Sequence, residues 1–396
     1  MLEALSGTSA HQSPSPLLTA LRHARTCLSL SNPNPRVGCV LLAANGEVIG
    51  EGATQRAGGP HAEVMALRDA QERRNTTQGC TAYVTLEPCS HHGRTPPCCD
   101  ALIKAGVAKV VIATLDPNPL VAGQGLARLR AAGIDVEVMP TDSAPAREAR
   151  ELNLGFFSRM VRGKPWVRMK TAASLDGTTA LNNGVSQWIT GAEARADGHA
   201  WRARACAVLT GIGTVIEDDP RLNVRLVDTP RQPHLVIVDS RLETPVSAKL
   251  FDTEGEPAQG AIPRQIWIYC AQDDAERRAA LEQRGATVIH LPGLTEATRN
   301  KVNLAAMLLD LGRREVNELH VEAGHKLNGS LVREGLVDEF LVYLAPKLLG
   351  PGMGMSHMTA LTRLEDGLSL RFHAVDRVGE DLRVLARTAG HDSFLD

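Results

Sequence analysis

Four residues with strong chemical preferences stand in a fixed order early in the chain: His61, Glu63, Cys89 and Cys98. A proline directly precedes His61 and another directly precedes Cys98, which is typical of the first turn of a helix. Cys89 follows the strand-like run 81–86 and a further proline. Histidine and cysteine are preferred zinc ligands. For these residues to bind one zinc ion, the fold has to bring two helix starts and a strand end together.

The order His-x-Glu, Pro-Cys, Cys matches the signature of zinc-dependent deaminases, here with eight residues between the cysteines rather than two. Three ligands leave one position for water, as a catalytic zinc requires, whereas structural zinc sites usually have four protein ligands. Glu63 lies close enough to His61 to face that water and move protons without binding the metal. Each residue alone would more often be an ordinary surface or core residue, and Cys99 competes with Cys98 as a ligand. The combination favours the metal site.

The bulk properties set the class of protein. A length of 396 residues is more than one hydrophobic core usually supports, which indicates two domains. A hydrophobic fraction of 43% and a net charge of -2 indicate a globular protein that binds small molecules rather than nucleic acid. The first residues show neither a signal peptide nor a membrane span, so we expect a cytoplasmic protein without a membrane partner. Four cysteines are expected to be plain core residues: Cys27, Cys39, Cys206 and Cys270.

The N-terminal half begins with an antiparallel hairpin, which Asn45 and Gly46 predict between two apolar runs. Helical and strand patterns then alternate, which implies a sheet with parallel pairs and helices on its faces. The predicted helices are 16–31, 61–74, 97–105, 122–132 and 144–160, and the predicted strands are 81–86, 109–115 and 135–139. A new run of elements starts after Gly163, so we place the domains at 16–160 and 164–392.

The C-terminal half alternates again, with a closing hairpin predicted over 368–389. Its other predicted strands are 206–210, 234–239, 265–270, 286–291, 318–322 and 338–345. No complete Gly-x-Gly-x-x-Gly follows a strand, so a standard Rossmann domain is unsupported. Instead, Gly324–Ser330 leads from a strand into a helix and offers backbone N–H groups to a cofactor phosphate. The junction Leu209–Asp218 offers a second such place, or only a tight turn.

Longer motifs in both halves resemble the bifunctional deaminase-reductase family of riboflavin biosynthesis. They are NPRVG (34–38), GGPHAEV (58–64), EPCSHHGRTPPC (87–98), DPNP (116–119), KTAASLDGTTA (170–180), SQWIT (186–190), LTGIGTVIEDDPRLNVR (209–225), VEAG (321–324) and APKLLG (345–350). The resemblance runs from residue 16 to residue 390. It implies an α/β protein with an N-terminal cytidine-deaminase-like α/β/α domain that has a mixed sheet, followed by a C-terminal dihydrofolate-reductase-like α/β domain.

The same resemblance implies two activities in sequence. The first is Zn²⁺-dependent hydrolytic deamination of 2,5-diamino-6-(5-phosphoribosylamino)pyrimidin-4(3H)-one to 5-amino-6-(5-phosphoribosylamino)uracil. The second is NADPH-dependent reduction of the ribosyl group of that product to a ribityl chain. Likeness to the family also implies a homodimer or higher homo-oligomer.

Ligand contacts follow from the resemblance residue by residue. Substrate contacts are implied for Asn34, Arg94, Ser186, Arg202, Leu222, Arg225 and Glu322. Cofactor contacts are implied for Ala172, Trp188, Thr214, Asp218, Ser240, Gly324, His325, Lys326, Leu327, Asn328, Gly329 and Ser330. Guanidinium groups suit the substrate phosphate. Asp218 is also a candidate for delivering a proton during hydride transfer, and otherwise a helix or turn cap.

One departure from the family pattern and three rival hypotheses stay open at this point. Ala53 and Thr54 stand where the family commonly has a Gly-Tyr-His run, whose histidine helps to hold the deaminase substrate. One rival is a zinc nucleoside or tRNA-base deaminase with an unrelated C-terminal domain, against which the near-neutral charge counts. Another is an enzyme in which only the reductase half is active. The third is a non-enzymatic protein stabilised by zinc.

Overall fold

The chain forms two compact units in a computed structural model that describes residues 15–91, 93, 95–119, 121–252 and 263–395. The first unit contains the chain up to Cys27 together with Arg36–Leu152. The second contains the short segment Leu28–Pro35 and the chain from Asn153 onward. The division at residues 152 and 153 therefore places the end of the predicted helix 144–160 in the second unit.

That predicted helix is interrupted in the structure. Two helices, α5 (Ala144–Leu152) and α6 (Leu154–Arg162), flank Asn153, whose φ of -109° and ψ of 17° leave the helical region. Asparagine favours such positions because its side chain competes for backbone hydrogen bonds. The prediction of one continuous helix was wrong for this reason.

The first unit has a mixed sheet with helices packed against it. The strands are β1 (Gly38–Leu42), β2 (Val48–Ala53), β3 (Thr81–Val84), β4 (Lys109–Ile112) and β5 (Asp135–Val138), and the other helices are α1 (Pro16–Thr26), α2 (Ala62–Glu72), α3 (Cys98–Lys104) and α4 (Gln124–Ala131). The strand order is β2-β1-β3-β4-β5. Strand β1 is antiparallel to both of its neighbours, whereas β3, β4 and β5 run parallel. The predicted mixed sheet is confirmed.

The hairpin β1–β2 positions the start of α2. Gly46 has a φ of +84° at the turn, and the Asn45 side chain accepts a hydrogen bond from the Glu47 amide at 3.0 Å, as the sequence predicted. A Cβ at Gly52 would lie 2.4 Å from the backbone nitrogen of Ala66. The glycine therefore allows α2 to pack directly on β2, which fixes the helix start that follows His61.

The second unit is built on a large sheet, with nine strands among the described residues and the order β11-β10-β9-β8-β12-β6-β13-β16-β15. Its strands are β6 (Trp166–Ser174), β8 (Ala207–Gly211), β9 (His234–Val238), β10 (Ile266–Cys270), β11 (Ala286–His290), β12 (Glu318–Val321), β13 (Glu339–Ala345), β15 (Leu370–Val378) and β16 (Asp381–Thr388). All neighbours are parallel except β13–β16 and β16–β15. The predicted closing hairpin is thus confirmed as β15–β16. A small pair, β7 (Thr178–Leu181) and β14 (Gly352–Gly354), stands apart from the large sheet.

Helices complete the second unit as layers on this sheet. They are α6, α7 (Ala192–Arg204), α8 (Ile212–Asp218), α9 (Ala275–Gln283), α10 (Leu304–Arg313) and α11 (His325–Arg333). One buried apolar cluster joins α10 to strand residues such as Leu209 and Leu319, and a second contains Val208 and Ile237. Within the described ranges, no helix has both the length and the apolar character needed to cross a bilayer.

Candidate functional site

Three potential metal ligands converge in the first unit: His61, Cys89 and Cys98. Their donor atoms all lie within 4.8 Å of one another. The Nδ1 atom of His61 is 3.3 Å from the Sγ of Cys98 and 3.6 Å from the Sγ of Cys89. A zinc ion with bonds of about 2.3 Å to sulfur and about 2.0 Å to nitrogen, in tetrahedral geometry, separates such atoms by roughly 3.5 Å. The donor set and its spacing therefore fit zinc.

Local structure explains why these residues meet. His61 directly precedes α2, and Cys98 is the first residue of α3. Cys89 follows β3 and accepts a hydrogen bond on its Sγ from the Cys98 amide at 3.3 Å. Hydrogen bonds from Cys98 and from His61 lower the pKa of Cys89, although its burial acts in the opposite direction. A lowered pKa favours the thiolate that a metal requires.

Glu63 lies in the first turn of α2 and is buried beside this group. Burial and the nearby Cys89 raise its pKa to about 6, and hydrogen bonding and the His61 ring only partly oppose this. A carboxyl group with a pKa near neutrality can both accept and release a proton under working conditions. Its position and its protonation behaviour thus suit proton transfer at a water held by the three donors.

Glu87 and Asp116 are two further acidic residues near the metal donors. No role was predicted for either of them from the sequence. The Glu87 carboxylate accepts backbone hydrogen bonds from Asp116, Gly123, Gly125 and Leu126 at 3.0 to 3.4 Å, which joins the loops after β3 and β4. Burial raises the pKa of Asp116 to about 7. The signal for both was present, since they begin the motifs EPC and DPNP.

The substrate contacts implied for the deaminase half are less defined. Arg94 lies outside the described residues. Asn34 belongs to the short segment Leu28–Pro35 of the second unit, and its backbone amide donates to the Ser31 carbonyl at 2.8 Å. Thr54 is buried just after β2, and its amide donates to the Val37 carbonyl at 3.0 Å. The position that departs from the family pattern is therefore part of the hydrogen-bonded frame of the sheet.

In the second unit, an ion pair lies at the end of β12. Both carboxylate oxygens of Glu322 accept hydrogen bonds from the Arg202 guanidinium, at 2.7 and 2.8 Å. Burial favours the neutral acid, but Arg202, His320 and Lys170 outweigh it and hold the pKa of Glu322 well below its usual range. Lys170 on β6 is half-buried in the same place, and its loss of solvent contact lowers its pKa. The sequence did not single out Lys170, although it begins the motif KTAASLDGTTA.

Arg225 and Leu222 belong to the loop beside this group. The amide of Arg225 donates to Nδ1 of His199 at 3.2 Å, and its guanidinium donates to the Asn223 side chain at 3.3 Å. Burial, with the charges of Arg202 and Arg225, lowers the pKa of His199 to about 3, so the ring is neutral. Leu222 is buried with a φ of +50°. Two of the predicted substrate arginines are thus brought close to Glu322 through α7 and this loop.

The predicted cofactor residues collect at two neighbouring strand-to-helix junctions, β8 to α8 and β12 to α11. Gly211 and Gly324 stand at the N-cap positions of α8 and α11. A Cβ at Gly324 would lie 3.6 Å from the Thr214 hydroxyl, and one at Gly211 would lie 3.1 Å from the Leu327 side chain. The two helix starts therefore lie side by side. The first backbone N–H groups of a helix have no partner within the helix and favour anions, so this remains the predicted place for a cofactor phosphate.

The remaining predicted cofactor residues lie on several elements of the second unit. His325–Ser330 forms the first part of α11, where Asn328 is buried and donates to the Met355 carbonyl at 3.0 Å. Asp218 ends α8, one turn after Thr214 and on the same helix face. Ala172 lies on β6, and Ser240 follows β9. Ser186 and Trp188 lie on an exposed loop, with the Arg195 guanidinium 4.7 Å from the Trp188 ring centroid.

Comparison with known proteins identifies a family for each half of the chain. Residues 15–114 match the cytidine and deoxycytidylate deaminase zinc-binding region, and residues 165–384 match the RibD C-terminal domain. The riboflavin biosynthesis protein RibD of Escherichia coli is 44% identical over 368 residues, which cover 92% of this chain and 96% of that protein. The chain belongs to the RibD family.

Solved structures of the family have the same fold. RibD from Acinetobacter baumannii superposes with a TM-score of 0.81 at 39% identity, covering 94% of this chain and 98% of that one. A diaminohydroxyphosphoribosylaminopyrimidine deaminase/5-amino-6-(5-phosphoribosylamino)uracil reductase from Thermotoga maritima superposes with a TM-score of 0.79 at 30% identity, with the same coverage.

Family membership decides between the hypotheses raised by the sequence. The chain is a bifunctional enzyme of riboflavin biosynthesis, with a zinc-dependent deaminase half and an NADPH-dependent reductase half. A deaminase with an unrelated C-terminal domain is not favoured, because the C-terminal half matches the family's own domain. A reductase with an inactive first half is not favoured either, because the zinc-binding region and its three donors are present.

Proposed function

We propose that this enzyme converts 2,5-diamino-6-(5-phosphoribosylamino)pyrimidin-4(3H)-one to 5-amino-6-(5-phosphoribosylamino)uracil and then reduces the ribosyl group of that product to ribityl. The observation that carries the proposal is the convergence of His61, Cys89 and Cys98 beside buried Glu63, in a chain that follows the RibD family over nearly its whole length. The name of the Thermotoga maritima relative gives the substrates of both activities.

In the deaminase half, His61, Cys89 and Cys98 would hold the zinc. Zinc, when bound there, supplies a Lewis acid that activates water for attack on the carbon bearing the amine. Glu63 accepts a proton from that water and passes it to the departing amine, which leaves as ammonia. The pKa of Glu63, raised to about 6, supports both halves of this transfer.

In the reductase half, Glu322, Arg202 and Arg225 bind and orient the phosphorylated sugar. NADPH, when bound along the starts of α8 and α11, supplies the hydride. A guanidinium group grips a phosphate through paired hydrogen bonds, which is the role we assign to Arg225. Asp218 delivers the accompanying proton, and its position one turn from Thr214 supports this assignment.

The experiment compares the wild type with Glu63→Gln and Arg225→Ala, measuring ammonia release and NADPH oxidation separately. Glu63→Gln should lower ammonia release by about 10²- to 10⁴-fold, the usual contribution of a positioned proton-transfer group. It should still oxidise NADPH at the wild-type rate when given the deaminated intermediate, whereas Arg225→Ala should show the reverse pattern. Loss of both activities in either variant would contradict two independent sites.

We further propose that the enzyme works as a homodimer in the cytoplasm. Strand β15 is an edge of the large sheet, and its Leu370, Phe372 and Val375 side chains are 45%, 74% and 55% exposed. Exposed apolar groups on a sheet edge favour association with a second copy. Within the described part of the chain none of the eight cysteines forms a disulfide, which supports a reducing compartment. Light scattering after gel filtration tests the dimer: Phe372→Glu should shift it to the monomer, and a monomeric wild type would refute the proposal.

A further inference from the structure

The loop between α8 and β9 carries two of the residues with predicted substrate contacts, Leu222 and Arg225. Its residues 221–225 form neither helix nor strand, so a regular ladder cannot satisfy their backbone groups. Side chains of other elements take over this task. Each residue from 221 to 225 has a backbone group that is hydrogen-bonded to such a side chain.

Gln232, which lies just before β9, makes two of these contacts. Its side chain is buried, and its Oε1 accepts from the Val224 amide at 2.7 Å. Its Nε2 donates to the Val224 carbonyl at 2.9 Å. One side-chain amide thus pairs with both backbone groups of a single residue, as a neighbouring strand would. This pairing fixes the peptide units on both sides of Val224, and with them the backbone position of Arg225.

His199 on α7 holds the next backbone group. Its Nδ1 accepts from the Arg225 amide at 3.2 Å. A backbone amide can only donate, so Nδ1 carries no proton and the ring N–H is on Nε2. Burial, with the charges of Arg202 and Arg225, lowers the pKa of His199 to about 3, which keeps the ring in this neutral form. The helix that carries Arg202 therefore also anchors the backbone of Arg225.

The first part of the loop is held by guanidinium groups. Arg264 donates to the Arg221 and Leu222 carbonyls at 3.1 and 2.6 Å. Arg202 donates to the Asn223 carbonyl. Leu222 has a φ of +50°, a left-handed conformation that leucine rarely adopts. Such a conformation persists only where the surroundings impose it, so these contacts hold the loop backbone in one shape.

We propose that Gln232 and His199 are positioning residues for the substrate phosphate: they hold the loop backbone so that the Arg225 guanidinium is preorganised to bind it. The inference rests on the phosphate-binding role proposed above for Arg225. A long side chain loses conformational freedom when it binds an anion, and a fixed backbone reduces what remains to be ordered at that moment. Gln232 and His199 act on the phosphate only through the loop.

The test measures kcat/KM of the full-length enzyme in the reductase reaction, for the deaminated intermediate and for the same compound without its 5-phosphate. The ratio of the two values reports how much the phosphate contributes. Because both values come from one preparation, the ratio does not depend on the fraction of folded enzyme.

Two leucine variants should lower this ratio. Gln232→Leu leaves the Val224 amide and carbonyl without these partners, and His199→Leu does the same to the Arg225 amide. Each should lower the ratio on the order of 10-fold, as expected for buried backbone groups that lose a hydrogen bond. The change should come from a raised KM for the phosphorylated compound. The KM for NADPH and ammonia release by the deaminase half should stay unchanged.

A conservative variant and a control sharpen the comparison. The side-chain oxygen of His199→Asn is as many bonds from Cβ as Nδ1 of the histidine, so it can accept from the Arg225 amide and should restore most of the ratio. Gln283→Leu, at the exposed end of α9, should keep the wild-type ratio.

Other results would overturn the inference. A wild-type ratio in both leucine variants would refute the positioning role. Equal losses for the two compounds, with a raised KM for NADPH, would refute it as well, because the substitutions would then only loosen the unit. Arg225→Ala separates the two proposals: if this variant keeps the wild-type ratio, the phosphate-binding role of Arg225 itself fails. If Arg225→Ala lowers the ratio while both leucine variants keep it, only the positioning role fails.

Discussion

The candidate sites of the two units are assembled in different ways. In the deaminase unit, the three metal donors and Glu63 fall between His61 and Cys98, and each is attached to a helix start or a strand end. In the reductase unit, the polar groups extend from Lys170 to Glu322 and meet only because β6 and β12 are parallel neighbours under α7. The first site depends on donor chemistry and the second on sheet register and ion pairs, so different changes should disable each.

The largest effect is expected from removing a metal donor in the deaminase unit. Cys98→Ser should lower zinc affinity by at least about 100-fold, since loss of even an outer-shell partner costs 10- to 100-fold. Ammonia release should disappear with the zinc, while NADPH oxidation persists. Metal analysis of the purified protein and the two assays check this.

Cys99→Ser provides the matched control for that prediction. The Cys99 side chain is buried next to Cys98, but it donates to the Pro88 and Gly125 carbonyls at 3.4 and 3.6 Å rather than joining the metal donors. This variant should keep its zinc. If Cys99→Ser loses zinc and Cys98→Ser retains it, the assignment of the ligand is wrong.

The next effect concerns the ion pairs beneath the reductase site. Arg168 is buried and donates to Glu318 at 2.8 Å and to Glu339 at 2.5 Å. Arg168→Leu removes one guanidinium from each of these two buried carboxylates, which keep Arg204 and Arg387 as donors. The loss should cost about 3 kcal/mol in the free energy of unfolding, the lower end of the range for breaking a buried ion pair. All four tryptophans lie in the second unit, so tryptophan fluorescence in urea reports on its unfolding alone.

Two controls sharpen that experiment. Arg363→Leu removes an exposed pair with Asp366 and should leave the urea midpoint unchanged, because exposed ion pairs contribute little. Ammonia release by Arg168→Leu should also stay near the wild-type value at concentrations of urea that unfold the second unit. Simultaneous loss of both activities would mean that the two units unfold as one.

The difference between the sites also explains what the sequence could predict. The zinc donors and Glu63 were named from residue types and spacing, and the structure brings them together. The mixed first sheet and the closing hairpin were predicted from alternating patterns and from turn residues such as Asn45 and Gly46. The interruption at Asn153 was missed because the helical pattern continues on both sides of it.

The groups around Glu322 could not be found by the same reasoning. Lys170 and His320 lie inside strands whose sequences are typical of apolar core strands. The charged side chains of β6, β12 and β13 come together on one face of the sheet only through the register of these strands. Long-range register depends on packing across the whole sheet, which local patterns do not contain. The predicted contacts at Arg202 and Glu322 came from family resemblance for that reason, and their substrate roles stay predictions.

The stabilities of the two units should change with pH in opposite directions. The pKa of Asp116, raised to about 7 by burial, means that the folded deaminase unit holds a proton that the unfolded chain releases near pH 4. The stability of this unit should therefore fall as pH rises from 4 to 7, with a slope of at most about 1.4 kcal/mol per pH unit. In the reductase unit the carboxylates Glu322, Glu339 and Asp338 have lowered pKa values, so their contribution is present above pH 4 and is lost in more acidic solution.

Limited proteolysis in urea, with fragments of each unit measured by mass spectrometry, checks these signs. Asp116→Asn keeps the side-chain oxygen that accepts from the Asn118 amide at 2.8 Å, but it cannot titrate, so the slope of the first unit should flatten. Asp135→Asn, at an exposed position on β5, should leave the slope as it is. A wild-type deaminase unit that gains stability between pH 4 and pH 7 would contradict the prediction.

The smallest effect is expected at the exposed loop of the reductase unit. The Arg195 guanidinium stacks on Trp188, which is 61% exposed, and donates to the Thr190 carbonyl at 2.7 Å. Arg195→Met should weaken NADPH binding by about 2- to 5-fold, since exposed cation–π contacts contribute about 0.5–1 kcal/mol. Quenching of tryptophan fluorescence by NADPH measures this.

Arg314→Met removes a comparable contact with the buried Trp267, 5.5 Å from its ring centroid, and should leave NADPH affinity unchanged. Equal weakening in both variants would mean that the loss reflects general loosening of the unit, and Trp188 would then have no special part in holding the cofactor.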